Sequence, residues 1–277
     1  MLRFSTTLKS DEITSLAIGG FDGMHRAHRE LFKRLDDKGV LLVIDKGFSN
    51  LTPDDTRVEF FKNGCIFLNL CDIKEFSDKE FVEFLKMNFP VLKRVVVGYD
   101  FGFGKNRAGD LNLFKKEFEL VVVSEVKIDN LSVHSQTIRE LLTSGDIKKA
   151  NKLLGREYKI TSFTKKGQGL GKEKLVATIN LGKTDFLLPK SGVYATKTKV
   201  GKDWINSITF IGVRASTDGE FAVETHLLDK NIDFLPKNVE IKFFDFVRDN
   251  KKFDTMESLK NQIQKDIDKA KATLETK

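Results

Sequence analysis

The sequence predicts an α/β chain: a doubly wound parallel sheet, followed by a small antiparallel β-barrel domain with a C-terminal helix. Three observations carry this. Between residue 13 and about 157, short apolar runs alternate with helical segments, the order that a parallel sheet with crossover helices requires. Past residue 157 the runs become partly alternating and are separated by turn residues such as "TDGE" and "DKN", the texture of an antiparallel barrel. Near the end, Leu259, Ile263, Ile267, Ala270 and Leu274 recur at spacings of three and four, one apolar stripe along a helix. The expected domains are therefore residues 1–157 and 158–277, without internal repeat or long linker.

The strands expected in the first domain are "ITSLAIGGF" (13–21), "VLLVID" (40–45), "CIFLNL" (65–70), "RVVVGYD" (94–100) and "ELVVVSEV" (119–126). Each is rich in Val, Ile and Leu and has the length of a strand buried on both faces. Helix starts lie between them. In "TPDDTRVEFFKN" Thr52 is placed to cap, Pro53 occupies the first helical position, and Asp55 falls three residues after the cap; "SDKEFVEFLKMNF" repeats the logic with Ser77 and Glu80. Residues 146–155 read as a helix that Gly155 stops. In the second domain "SGVYATKTKV", "DWINSITFIGV", "EFAVETHLLD" and "NVEIKFFDFV" are strands, and Asp254 with Glu257 caps the final helix. Apolar neighbours in "GCIFLNLCD" make Cys65 and Cys71 buried thiols; two cysteines build no metal cage, and a cytosolic disulfide is disfavoured.

Of the 277 residues, Lys and Arg contribute 47 and Asp and Glu 40, a formal charge of +7. That excess favours anionic partners, and phosphorylated small molecules serve as well as nucleic acid. No RNA-binding signature accompanies the charge, and the phenylalanines lie mostly in apolar runs, so no nucleic-acid partner is expected. The N-terminus lacks the apolar run of a signal peptide and nowhere do 18 apolar residues follow one another, which predicts a cytoplasmic protein without a membrane partner. A monomer or weak homo-oligomer is the expected state.

The most informative stretch is "GGFDGMHRAHREL" (19–31), at the carboxyl end of the first long strand. A glycine-rich turn lets main-chain amides approach a phosphate, and the start of the following helix adds partial positive charge. His25 and His28, three apart on its first turn, are suited to hydrogen-bond phosphate oxygens; zinc would need a third ligand.

"IGGFDGMHRAHREL" resembles the "GxFDGxHxGH" signature of bacterial bifunctional riboflavin kinase/FMN adenylyltransferases, the FAD synthetases within the larger nucleotidyltransferase group. "VVVGYDFGFGKNRAGD" (95–110) is similar to that family's "vvGxDFxFGxxrxGd", and "VHSQTIRELLTSGDIKKANKLLGREYKI" (133–160) to "ISSTxIRxxLxxGdvxxAnxLLGRxYxi". The resemblance implies a nucleotidyltransferase-like first domain in which a phosphate oxygen of FMN attacks the α-phosphorus of ATP. It places Gly20, Phe21, Asp22, Gly23, His25, His28, Ser135 and Arg139 at ATP, with the two histidines as catalytic contacts, and Asp100, Phe101 and Phe103 near the flavin. For the two phenylalanines, core packing is an equal alternative. The sequence departs from the pattern at Ala27, where the family has glycine, and at His134 and Gln136 in the "SSTxIR" loop.

The resemblance continues in the second domain. "KKGQGLGKEKLVATINL" (165–181) is similar to the flavokinase "GxGxGxxLGFPTANL", placing Gly167, Gly169 and Gly171 at ATP and Thr178 and Asn180 at Mg²⁺, with Ala177 in place of proline. "FAVETHLLD" matches "vExHLLD", which makes Glu224 the general base for the riboflavin 5′-hydroxyl; His226 is left to orient or to pack. "ITFIGVRASTDGEF" resembles "nIGxrPTf", with Ala215 and Ser216 replacing Pro-Thr, and Arg248 in the tail motif falls near the flavin or caps its strand. The implied protein converts riboflavin to FMN and FMN to FAD with Mg²⁺ and ATP. A member retaining one activity, the kinase before the other, and a non-catalytic flavin- or nucleotide-binding protein are the alternatives.

Overall fold

The computed structural model describes residues 1–165, 178–215, 218–228 and 236–275, in two compact units, Met1–Ser135 and Gln136–Lys277. In the first, β1 (Arg3–Ser5), β2 (Ser15–Gly19), β3 (Gly39–Asp45), β4 (Cys65–Asn69), β5 (Arg94–Gly98) and β6 (Glu119–Val123) form one sheet in the order β1-β4-β3-β2-β5-β6. All neighbours are parallel except β1, which runs antiparallel to β4. Alternate side chains feed two cores. Leu16, Ile18, Leu42, Ile66 and Val95 pack on one face with Phe81, Val82 and Leu85; Ala17, Leu41, Val43 and Val96 pack on the other with Phe21, Met24 and Leu31. That is the doubly wound arrangement, with α1 (Arg26–Phe32) on the second face and α3 (Asp78–Asn88) on the first. The chain leaves β2 toward β3 and β4, then returns to β2's other side with β5, so the switch point of the sheet lies at β2.

Local details depart from the sequence reading for identifiable reasons. β4 stops at Asn69 because the Asn69 side chain accepts from the Cys71 N–H at 2.8 Å and opens α2 (Leu70–Ile73). Cys71 is therefore exposed, contrary to expectation, while Cys65 is buried and its thiol is pushed up to about 12 by burial. "TPDDTRVEFF" forms a 3-10 helix over Asp54–Phe60 with Pro53 as its N-cap rather than its first residue, and Thr52 spends its hydroxyl elsewhere. Ser77 and Glu80 do form the expected capping box, and Gly155, at φ 72°, ends α6 (Ile147–Leu154). β6 lies at the sheet edge and is only partly buried; β1 and a small hairpin, β7 (Lys127–Ile128) with β8 (Leu131–Ser132), carry too few residues for a periodic signal.

The second unit is a closed barrel. β9 (Tyr158–Lys165), β10 (Ile179–Leu181), β11 (Gly192–Val200), β12 (Asp203–Val213), β13 (Phe221–Leu227) and β14 (Asn238–Arg248) follow the order β10-β13-β12-β11-β14-β9, antiparallel throughout. Its interior is partly polar: Thr196, Thr198, Ser207, Thr209 and Thr225 are fully buried and satisfy one another through hydroxyl contacts of 2.8–3.0 Å. Gly192 is required at the β11–β14 seam, where a Cβ would stand 2.6 Å from the Arg248 carbonyl oxygen. α6 packs on β9 and β14, and α7 (Met256–Glu275) lays Ala270 and Leu274 on Val193, Ala195 and Phe244. Thr255, not Asp254, caps α7 by accepting from the Ser258 N–H.

Candidate active sites

The "GGFDGMHRAH" turn leaves the carboxyl end of β2, beside the switch point, in strained backbone. Phe21 (φ 52°), Gly23 (φ 87°) and Met24 (φ 43°) all lie in the left-handed region, which costs a non-glycine residue about 1–3 kcal/mol. Burial holds them there: Phe21 and Met24 belong to the sheet core. The Asp22 carboxylate, expected at ATP, instead accepts the N–H groups of Asn50, Leu51 and Thr52, and the Thr52 hydroxyl accepts from the Gly23 N–H at 2.7 Å. Asp22 thereby fixes the turn's shape. Sequence reading overlooked Arg57, whose Nη1 donates to the Gly20 carbonyl at 3.0 Å; nothing in its local pattern marks it.

His25 is 3% exposed and caps α1, its Nδ1 accepting from the His28 N–H. The two imidazoles stack at 3.5 Å between centroids, with the Phe21 ring set edge-on to His28. Ala27 sits between them, half-buried, as the second residue of α1. Ser135 begins α5 (Ser135–Ser144) and donates its hydroxyl to the Asp22 carbonyl at 2.7 Å, which ties Ser135 to the turn. The residues that break the family pattern have partners of their own: His134 Nε2 lies 2.9 Å from the Tyr99 hydroxyl, and the Gln136 amide donates to Glu140. Arg139 is half-buried one turn along α5, in the second unit. Phe103 is core, 6% exposed and set edge-on to Phe114 at 4.6 Å; Phe101 stacks on it half-buried, and Asp100 is exposed.

In the barrel, register brings the second set together. Asn180 on β10 stands directly opposite Glu224 on β13, and Thr178 lies exposed two residues before Asn180. Glu224 Oε1 accepts from Arg214 Nη1 at 2.9 Å, and Arg214 is also fixed by Asp218, through Nε at 3.0 Å and Nη2 at 2.5 Å. That arginine escaped the sequence reading because its partners lie four and ten residues on, across the β12–β13 turn. A hydroxyl, an amide oxygen and a carboxylate are hard donors of the sort Mg²⁺ takes. Gly167, Gly169, Gly171, Ala177 and Ser216 lie outside the described residues. Arg248, expected at the flavin, is committed to α7: Nε donates to both carboxylate oxygens of buried Asp266, at 2.9 and 2.8 Å, and Nη2 lies 2.7 Å from Oδ2. Near it opens a cleft of about 520 Å³ lined by Thr143, Leu188, Pro189, Lys190, Ser191, Asp249 and Asn250.

Residues 154–274 match the family model described as flavokinase, riboflavin kinase. A protein of Buchnera aphidicola from Acyrthosiphon pisum, named bifunctional riboflavin kinase/FMN adenylyltransferase, is 29% identical over 91% of this chain and 90% of its own. One of the same name from Listeria monocytogenes is 28% identical over 94% and 93%. The trifunctional protein RibF/MnmA of Mycoplasmoides gallisepticum is 31% identical over 95% of this chain, which spans 40% of that longer protein. Among solved structures, one titled macrolide-efflux protein from Streptococcus pneumoniae superposes with a TM-score of 0.83 over 96% of both chains; at 21% identity it shows the shared fold. Among the described residues, no helix is long and apolar enough to cross a membrane.

Proposed function

The chain belongs to the family of bifunctional riboflavin kinase/FMN adenylyltransferases, and from that premise we propose that it phosphorylates riboflavin to FMN and adenylylates FMN to FAD. The observation that carries this reading is similarity to proteins named for both activities along nine-tenths of the chain, through both candidate sites. In the first unit, an FMN phosphate oxygen attacks the α-phosphorus of ATP and pyrophosphate leaves. The attacking group is already anionic, so the protein supplies position and charge rather than a nucleophile. Within the turn from Gly20 to Gly23 the Gly23 N–H is taken by Thr52, so the amides ahead of it are the ones presented to the phosphates; His25 and His28 add ring N–H donors, and Ser135 fixes the turn. Asp100 with Phe101 is assigned to the flavin side.

In the second unit, the Glu224 carboxylate accepts the 5′-hydroxyl proton while that oxygen attacks the γ-phosphorus of ATP and ADP leaves. Arg214 holds the carboxylate in place. The glycines at 167, 169 and 171 are assigned to ATP, and Thr178 and Asn180 would hold Mg²⁺. An ion held by these two side chains would offset the negative charge of the ATP phosphates. Arg248 acts through α7 rather than on the flavin. The substrates are small molecules, handled in the cytoplasm by a monomer or weak homo-oligomer, with neither nucleic acid nor membrane as partner.

A second reading, a protein with strong kinase and weak adenylyltransferase activity, is favoured by the commitments of His134 and Gln136 to Tyr99 and Glu140. Purified protein incubated with riboflavin and Mg-ATP, and separately with FMN and Mg-ATP, decides between them once the flavins are resolved chromatographically. FMN and FAD are expected from the first mixture and FAD from the second; FMN alone from the first, with no FAD from either, removes the synthetase half. Retained flavin binding without turnover leaves a binding protein. Ala27→Gly removes a methyl from the first turn of α1 and is expected to raise FAD formation from FMN several-fold. An unchanged rate means the loop has adapted to alanine.

A further inference from the structure

Arg57 is among the largest fully buried side chains, at 1% exposure, and among the described residues its hydrogen-bond partners include no carboxylate. Its guanidinium meets three neutral oxygens: Nε donates to the Asp54 carbonyl at 3.1 Å, Nη1 to the Gly20 carbonyl at 3.0 Å, and Nη2 to the Ser49 hydroxyl at 3.2 Å. The Phe67 ring face, 5.2 Å away, adds a weak cation–π contact. A buried cation whose partners are all neutral is costly to keep, so a counter-charge supplied from outside would stabilise it.

The Gly20 bond has a geometric consequence. A trans peptide points its carbonyl and its N–H in opposite directions, so drawing the Gly20 oxygen down onto Arg57 turns the Phe21 N–H the other way. That N–H donates to no described residue, although Phe21 is only 1% exposed. Buried main-chain donors are nearly always paired, so an unpaired one in a glycine-rich turn at a sheet switch point is a donor awaiting an acceptor. The same segment grips the turn twice more, through the N–H groups that Asp22 accepts and through Thr52 on Gly23. Phe21 itself is held at φ 52°, where an isolated peptide would not stay.

We infer that Arg57 is a positioning residue for adenylyl transfer: it pins the Gly20 carbonyl so that the Phe21 N–H faces the ATP phosphates, and it places a buried positive charge beneath them. The inference rests on the adenylyltransferase reading of the first unit. Arg57 touches no substrate, and its effect falls on ATP rather than on FMN.

The test compares wild type, Arg57→Gln and Arg57→Lys as full chains, each assayed for FMN→FAD and riboflavin→FMN. Arg57→Gln is expected to raise KM for Mg-ATP in FAD formation at least tenfold and to lower kcat/KM by about 100-fold. KM for FMN should stay within twofold, and riboflavin phosphorylation should be unchanged, which reports that the chain is folded. Arg57→Lys keeps the charge and a single donor, and is expected to fall between the two; it carries the test if the glutamine variant does not fold. A merely structural arginine would lower the unfolding midpoint without separating the two KM values. Wild-type FAD formation with unaltered constants in Arg57→Gln, or an equal rise in both KM values, overturns the assignment of Arg57 alone. Wild type that forms no FAD removes the premise instead.

Discussion

Glu224→Gln abolishes FMN formation from riboflavin and leaves FAD formation from FMN within about twofold. A positioned general base contributes about 10²–10⁴-fold to a proton-coupled step, and an alcohol attacking a phosphorus must lose its proton as the new bond forms. Glutamine is nearly the same size, still accepts from Arg214 Nη1 through its amide oxygen, and keeps the β13 register opposite Asn180. What it loses is the capacity to take a proton. The selectivity is the sharper half of the expectation, because the turn proposed for adenylyl transfer lies in the other compact unit and the phosphate proposed to attack there carries no proton to remove. Both rates are measured on one preparation, by chromatography of the flavins from each substrate. A proportionate fall in both would show that the two reactions share a site or that the substitution disturbs the whole chain.

The sequence exposed the periodic parts of this molecule and hid the parts that depend on a single distant partner. Strands β2 to β5 and barrel strands β11 to β14 are legible because burial on two faces, or on alternate faces, writes itself into the run. Ser77–Glu80 and Gly155 are legible because a cap needs only neighbours three or four residues away. Thr52 misled for the opposite reason: its residue type suits a cap, but its hydroxyl is taken by Gly23, 29 positions earlier in the chain. Asp22 and Arg248 stand in motifs that suggest ligands, and tertiary structure gives each a protein partner, the 50–52 backbone and Asp266. Arg57 and Arg214 went unseen because the groups that define them are brought together only by the fold. The histidine turn was read for its chemistry, whereas its strained backbone and the stacking of the two rings are properties of φ and packing that residue types do not encode.

Arg248→Ala is expected to destabilise the second unit by about 3 kcal/mol or more, and Asp266→Ala by less, about 1–2 kcal/mol. The asymmetry follows from exposure. The Asp266 side chain is 5% exposed and the Arg248 side chain 22%, so removing the arginine strands a buried carboxylate, while removing the aspartate leaves a guanidinium that can turn toward water. Gln262, whose amide donates to Asp266 at 2.8 Å, offsets only part of the loss. The pair fastens α7 across the end of β14, next to the seam where Gly192 lets the Arg248 carbonyl approach closely, so the helix and the barrel should loosen together. For a unit of this size the arginine variant would melt roughly 10 °C lower. Riboflavin KM supplies the second readout. If Arg248 works through α7, the two variants change that constant alike, in step with their stability. A rise confined to Arg248→Ala, with neither variant destabilised, would return Arg248 to the flavin.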